Sequence, residues 1–134
     1  MRGYNAAMPE IDKGDDVFVV NDATGAMWRL QVKTSLGRTQ ATSRAYQFRV
    51  RETAIQNAQT PELHFVFVMR KGRVWHFLLM DRPVLRAYVR NNHLGTPAGD
   101  YRQLNMVLHD DGRLICSGVD LQNHLEDWAT WPRL

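Results

Sequence analysis

Runs of apolar residues separated by turn-forming residues predict a series of β-strands in the first half of the chain. Residues 17–20 are β-branched and aromatic, which is typical of a buried strand. The turn-forming residues 21–25 follow, and residues 27–34 then alternate as a return strand, so we predict an antiparallel hairpin. Residues 4–10 are weakly apolar and predict an earlier strand.

The middle of the chain continues this pattern and then changes to a helical one. Residues 46–51 alternate apolar and polar side chains at a period of two, which indicates a half-solvated strand. Residues 64–69 and 74–80 are apolar runs on either side of a Lys-Gly-Arg turn, which predicts a second hairpin. A helix is predicted over residues 81–91, with Asp81 placed to cap its first turn.

The last third of the chain predicts one more hairpin and one more helix. The hairpin joins residues 104–108 to residues 113–117, and a terminal helix is expected over residues 120–131. The apolar side chains on one face of that helix are Leu121, Leu125 and Trp128. The whole pattern predicts an α+β fold with more strand than helix, and 134 residues fit a single domain over residues 1–134.

Charge and composition narrow the functional classes. The net charge is +3, the pI is about 9.4, and arginine supplies most of the cations. Arginine binds phosphate through two parallel N–H groups, which favours a nucleic-acid partner; GC-rich coding is the alternative source of arginine. No apolar run is long enough for a membrane span or a secretory signal, and Cys116 has no second cysteine for a disulfide. We therefore expect a cytoplasmic protein with no membrane partner.

Three residues of the first predicted hairpin carry the most informative chemistry. Asp16 opens one strand, and Gln31 and Lys33 lie two positions apart on the next. Side chains two apart share one face of a strand, so the hairpin can bring both beside Asp16, while Val32 points the other way, into the core. A carboxylate, an amide oxygen and an ammonium group on one face fit phosphodiester hydrolysis with Mg²⁺ or Mn²⁺.

Each residue of this set has a distinct expected role. Asp16, the side-chain oxygen of Gln31 and the backbone carbonyl of Val32 would hold the metal, and Glu10 is a further candidate ligand. Lys33 would orient the attacking water and stabilise the negative charge of the transition state. The predicted catalytic residues are therefore Asp16, Gln31 and Lys33.

This pattern resembles the PD-(D/E)xK nuclease superfamily, which includes restriction endonucleases and Holliday-junction resolvases. The superfamily motif places an Asp at the start of one strand, and then Glu or Asp, any residue and Lys on the next. Here the second half reads Gln31-Val32-Lys33, as in the Q-x-K branch found in Mrr-like restriction enzymes. The resemblance implies a restriction-endonuclease-like core, with a mixed β-sheet flanked by helices, and a magnesium-dependent endonuclease that acts on DNA.

The sequence departs from the superfamily pattern at its beginning and at Gln31. The superfamily core begins with a helix, often carrying a metal-binding Glu, whereas this chain begins at about the first strand, so that the first core helix is missing. Truncation, a helix supplied by a partner subunit, a substitute acid at Glu10 or Asp12, and loss of catalysis each account for this departure. Gln31 also makes the site less negative, so weaker Mg²⁺ binding is expected.

Two further sets of residues bear on the partners of the chain. A polar, arginine-bearing segment follows Lys33 and could contact a nucleic-acid backbone, with a solvated loop as its alternative. The predicted contacts are Thr34, Ser35, Arg38 and Arg44. Tryptophans near the C-terminus predict a homodimer face. The alternatives to a nuclease are therefore a catalytically inactive nuclease-like module that binds nucleic acid or a protein, and a homodimeric interaction protein.

Overall fold

The structure, a computed structural model, describes residues 4–7 and 16–128. In that part of the chain the strands form two sheets, and the helices are short. The strands are β1 (Tyr4–Ala7), β2 (Asp16–Asn21), β3 (Met27–Ser35), β4 (Arg38–Thr39), β5 (Ser43–Arg51), β6 (Leu63–Lys71), β7 (Val74–Asp81), β8 (Thr96–Ala98), β9 (Tyr101–His109), β10 (Leu114–Cys116) and β11 (Val119–Asp120), and the helices are α1 (Glu52–Gln56) and α2 (Arg82–Asn92).

The first sheet has the order β1-β2-β3-β6-β7. Its neighbours are antiparallel except for β3 and β6, which run parallel. The two predicted hairpins, β2–β3 and β6–β7, are confirmed. Asn21 shapes the first turn, since its side-chain oxygen accepts a hydrogen bond from the backbone N–H of Ala23 at 2.9 Å. The predicted early strand is confirmed over Tyr4–Ala7 as β1, and residues 8–10 lie outside the described part.

The second sheet has the order β11-β10-β9-β5-β4, and β8 pairs with β9 beside this path. All of its pairings are antiparallel. The predicted strand at residues 46–51 lies within β5, and the hairpin of β9 and β10 is also confirmed. Because β4, β5 and α1 fall between β3 and β6 in the chain, part of the second sheet is built from the crossover that joins the two parallel strands.

One face of each sheet contributes to a common core, and we call these the inner faces. Phe48 of the second sheet meets Phe67 of the first edge to face, with ring centroids 5.1 Å apart. The hydroxyl of Tyr46 donates to the backbone oxygen of Arg70 at 2.6 Å, which joins the two sheets, and burial raises the pKa of Tyr46. The structure therefore confirms the α+β class with a mixed sheet, and a second sheet packs on that mixed sheet where helices were expected.

The two helices pack against each other at one end of these layers. The predicted helix is confirmed as α2, and Asp81 caps it by accepting a hydrogen bond from the N–H of Val84 at 2.8 Å. Helix α1 was not predicted; it is five residues long and buries Ile55 in the core.

The predicted terminal helix over residues 120–131 is wrong for its described part. Strand β11, a single 3-10 turn and an isolated bridge residue followed by turn residues occupy this segment. Leu125 forms an isolated antiparallel bridge with Leu78 of β7, and Trp128 packs edge to face on Phe77, with ring centroids 5.6 Å apart. These apolar residues are spaced as on one face of a helix, but each contacts a different residue of the folded chain.

Candidate active site

The β2–β3 register places Asp16 directly opposite Gln31. Because strand positions alternate between faces, positions 16, 31 and 33 lie on the same face of the first sheet. This is the inner face, since the parallel register sets Gln31 beside Phe65 and Lys33 beside Phe67 of β6. The strand geometry therefore brings together the three positions that the sequence predicted as catalytic.

Val32 points away from Gln31, as predicted, but it does not enter the main core. It is half-buried beside Val66 on the opposite face of the first sheet. Trp28 and Leu30 are also buried from that side. The prediction was wrong because β3 is a central strand with apolar neighbours on both faces, so its sequence does not mark which face carries the larger core.

Gln31 provides an open acceptor in the candidate site. The residue is only 9% exposed, and its buried Oε1 has no hydrogen-bond partner among the residues that the structure describes. A buried acceptor without a partner costs about 1–3 kcal/mol in desolvation, so such groups are rare away from functional sites. An amide oxygen is also a ligand of the hard type that Mg²⁺ prefers. The side chain of Gln31 therefore fits a metal ligand at the position opposite Asp16.

Arg29 is a site residue that the sequence interpretation missed. It lies two positions before Gln31, so it shares the inner face, and its Nε is buried with no acceptor in the described part of the chain. Its Nη1 donates to Oε1 of Gln59, and its guanidinium carbon lies 5.3 Å from the centroid of the Phe18 ring. The described part of the inner face thus carries an open donor two strand positions from an open acceptor, and this spacing was the signal that could have identified Arg29.

Gln31 borders a polar cleft of ≈ 220 Å³. The opposite wall comes from the end of β5, from α1 and from the segment that leads into β6. Its residues are Arg51, Thr53, Ala54, Asn57, Gln59 and Leu63. Helix α1 and the following segment therefore supply the hydrogen-bonding groups that face the site.

An ion pair between a buried arginine and a partly exposed glutamate fixes this wall. Arg82 is 7% exposed; its Nε and Nη2 donate to the two carboxylate oxygens of Glu62 at 2.7 and 3.2 Å, and its Nη1 donates to the backbone oxygen of Ile55 at 3.1 Å. These hydrogen bonds from Arg82 hold the pKa of Glu62 below its ordinary value. The pair joins the start of α2 to the two segments that form the cleft wall.

Lys33 and Val32 lie where β3 emerges from its pairing with β2. Asp16–Gln31 is the last pair between these strands in the described part of the chain. From Val32 onward, β3 has β6 on one side and no described strand on the other. Lys33 is half-buried.

The remaining predicted acids, Glu10 and Asp12, lie outside the described residues. Within residues 4–7 and 16–128, no three His, Cys, Asp or Glu side chains come together as a metal-binding group.

The predicted nucleic-acid contacts do not form one surface. Thr34 is exposed on the face opposite Lys33, whereas Ser35 and Arg38 line a separate cleft of ≈ 380 Å³. Arg44 fastens its own loop instead, since its Nε and Nη2 donate to the backbone oxygen of Leu36 at 3.0 and 2.6 Å. Arg38 is thus the cation of this set that remains on an open surface.

The chain matches no known protein-family model, no curated protein and no solved structure. Across the described residues, no helix combines the length and the apolar character needed to cross a membrane.

Proposed function

We propose that the chain is a metal-dependent nuclease that hydrolyses phosphodiester bonds of DNA at Asp16, Gln31 and Lys33. One observation carries the proposal: the open, buried acceptor of Gln31 lies directly opposite Asp16, with Lys33 on the same face. This order, an acid opening one strand and Q-x-K on the next, is that of the PD-(D/E)xK pattern. A mixed sheet with parallel β3 and β6 is compatible with a restriction-endonuclease-like core.

A bound Mg²⁺ or Mn²⁺ would polarise a phosphoryl oxygen and lower the pKa of a bound water. Asp16, Oε1 of Gln31 and the carbonyl oxygen of Val32 would hold it. Lys33 would orient the attacking water and offset the negative charge that develops on the phosphoryl oxygens. The open Nε of Arg29 would donate to a non-bridging phosphate oxygen, and charge assistance would strengthen that hydrogen bond.

Cleavage assays on supercoiled and branched DNA with Mg²⁺ or Mn²⁺ test this proposal. We expect cleavage by the wild type, and a loss of about a hundredfold or more in Asp16→Asn and in Lys33→Met, since each removes a transition-state interaction. Lys71→Met is the matched control, because Lys71 lies on β6 and pairs with Asp110 away from the cleft. The proposal fails if the wild type does not cleave, or if Lys33→Met cleaves as fast as Lys71→Met.

A catalytically inactive nuclease-like module that binds nucleic acid is the second candidate. The neutral side chain of Gln31 favours it, because a site with one acid fewer attracts a divalent cation less strongly. Calorimetric titration with Mn²⁺ separates the two candidates. Metal binding that disappears in Asp16→Asn supports the nuclease, and the absence of metal binding by the wild type supports the inactive module.

A further inference from the structure

The second sheet has an outer face, turned away from the core, that the proposed active site does not use. It is built mainly from every second residue of β5 and from the β9 residues that pair with them. None of these side chains is buried. The positions of this outer face are Ala45, Gln47, Arg49, Arg51, Tyr101, Gln103, Asn105 and Val107.

Two arginines are concentrated at one end of the outer face. The guanidinium carbons of Arg49 and Arg51 lie 4.7 and 5.0 Å from the centroid of the Tyr101 ring. Neither arginine forms an ion pair with a residue that the structure describes. Two like charges held against one ring, with no carboxylate between them, form a site that an anion would stabilise.

A third arginine extends the positive charge to the other end. Arg38 of β4 pairs with Ala45, six residues from Arg51, so the cations extend over about 20 Å of strand. Exposed amides lie between them, and Arg38, Gln47 and Asn105 line the cleft of ≈ 380 Å³. Cations at both ends, with neutral hydrogen-bonding groups between them, match a polymer that carries several anionic groups better than a ligand with one anionic group.

The acids near this sheet leave the positive character of the outer face in place, and Glu52, which follows Arg51, pairs with Arg102 instead. Asp120 is at the far edge of the sheet, where it pairs with Ile115, and its carboxylate accepts a hydrogen bond from the N–H of Gln122. Asp100 lies in the turn that precedes Tyr101. No described ion pair connects either acid to the arginines.

We propose that the outer face of the second sheet binds the phosphate backbone of a nucleic acid and leads it to the cleft at Gln31. Arg51 belongs to both surfaces, since it pairs with Tyr101 and also lines that cleft. A length of about 20 Å spans about six base-pair steps along the axis of a duplex. The inference rests on the proposed function, because it takes the bound polymer to be the substrate of that site.

The test is a binding measurement that needs no catalysis. Fluorescence anisotropy of labelled single-stranded and duplex DNA is measured in EDTA over a series of salt concentrations. The variant is Arg38→Ala with Arg49→Ala, and Arg51 is kept because it borders the active-site cleft. The control is Arg73→Ala with Arg90→Ala, which removes the same charge from two exposed arginines, in the β6–β7 turn and on α2.

We expect the variant to bind DNA about tenfold more weakly than the control, because each arginine contributes a phosphate contact. Its plot of log affinity against log salt should be shallower by about 1.4 for single strands. Equal affinities and slopes in the variant and the control would overturn the proposal. So would displacement of DNA by polyglutamate at the same charge concentration, since that would indicate a general polyanion surface.

The binding assay and the cleavage assay fail independently. If the wild type binds DNA through this face but does not cleave it, the proposed function fails and the surface stands. If it cleaves DNA and the variant binds like the control, the surface fails and the proposed function stands.

Discussion

Replacing Gln31 by Met should make the metal-free protein more stable and remove its response to metal. Met has a similar length and volume but no polar atom, so it removes the buried acceptor that has no partner. Leaving an amide oxygen buried and unpaired costs about 1–3 kcal/mol. Since Gln31 is 9% exposed, we expect Gln31→Met to raise the free energy of unfolding in EDTA by about 1–2 kcal/mol.

With metal bound, the wild type should be more stable than Gln31→Met. At a Mg²⁺ or Mn²⁺ concentration of about a hundred times the Kd, binding to the native state adds about 2.7 kcal/mol to the stability of the wild type, which exceeds the expected advantage of the variant. Gln31→Met lacks the ligand oxygen, so its stability should be the same with metal and with EDTA. Most substitutions destabilise a protein, so a gain in stability combined with a loss of ligand binding is a specific signature of a binding site.

Urea unfolding followed by tryptophan fluorescence measures both quantities, with and without metal. Gln47→Met is the matched control; Gln47 is an exposed glutamine at an internal position of β5, and its replacement should change stability by less than about 0.5 kcal/mol. Lower stability of Gln31→Met in EDTA would refute the reasoning, because the oxygen would then have a partner. An equal metal-induced gain in wild type and variant would also refute it.

Two further predictions concern the elements that position the site. Hydrogen bonds from Arg82 lower the pKa of Glu62 in the folded state, so the contribution of Glu62 to stability is complete above its unfolded pKa and is lost as the pH falls through its folded pKa. In urea unfolding, the wild type should be more stable than Glu62→Gln by about 1–2 kcal/mol. This difference should stay constant above about pH 5 and shrink below about pH 4.5. A difference that does not shrink on acidification would contradict this. Gly37→Ala should lower the free energy of unfolding by about 2–3 kcal/mol, because Gly37 has φ +72° and an added Cβ would lie 2.6 Å from Cε1 of Tyr46. Gly25 also has a positive φ, +71°, but no described atom lies within 4 Å of a Cβ added there, so Gly25→Ala isolates the backbone effect. An equal loss of stability in both variants would show that the contact with Tyr46 is unimportant.

Local features of the fold could be predicted from the sequence. The β2–β3 hairpin follows from an apolar strand, an Asn-Asp-Ala-Thr-Gly turn and a return strand, and its register alone sets Asp16 opposite Gln31. The cap at Asp81 is likewise encoded within four residues. In each case the interacting residues are near each other in the chain, so a local pattern determines the geometry.

Long-range features could not be predicted in the same way. The parallel pairing of β3 with β6 joins Gln31 to Phe65 across a crossover that itself forms part of another sheet. Tyr101 meets Arg51 across a sequence separation that no local pattern spans. The mistaken assignment of Val32 to the core has the same origin, since the chain alone does not show on which face of a doubly covered strand the larger core will form.

The cleft is formed by both local and long-range features of the fold, and this combination explains why its polar groups are left open. The hairpin places Gln31 and Arg29 on the inner face by local register, whereas α1 and the segment ending at Glu62 reach it only through the crossover. A second sheet that continued over this region would cover the acceptor of Gln31 with apolar side chains and leave no room for a ligand. Instead the crossover turns into α1 after Arg51, and the Arg82–Glu62 pair fixes it there. The polar gap is therefore held open by the structure around it, which is the condition that a pre-organised metal and phosphate site requires.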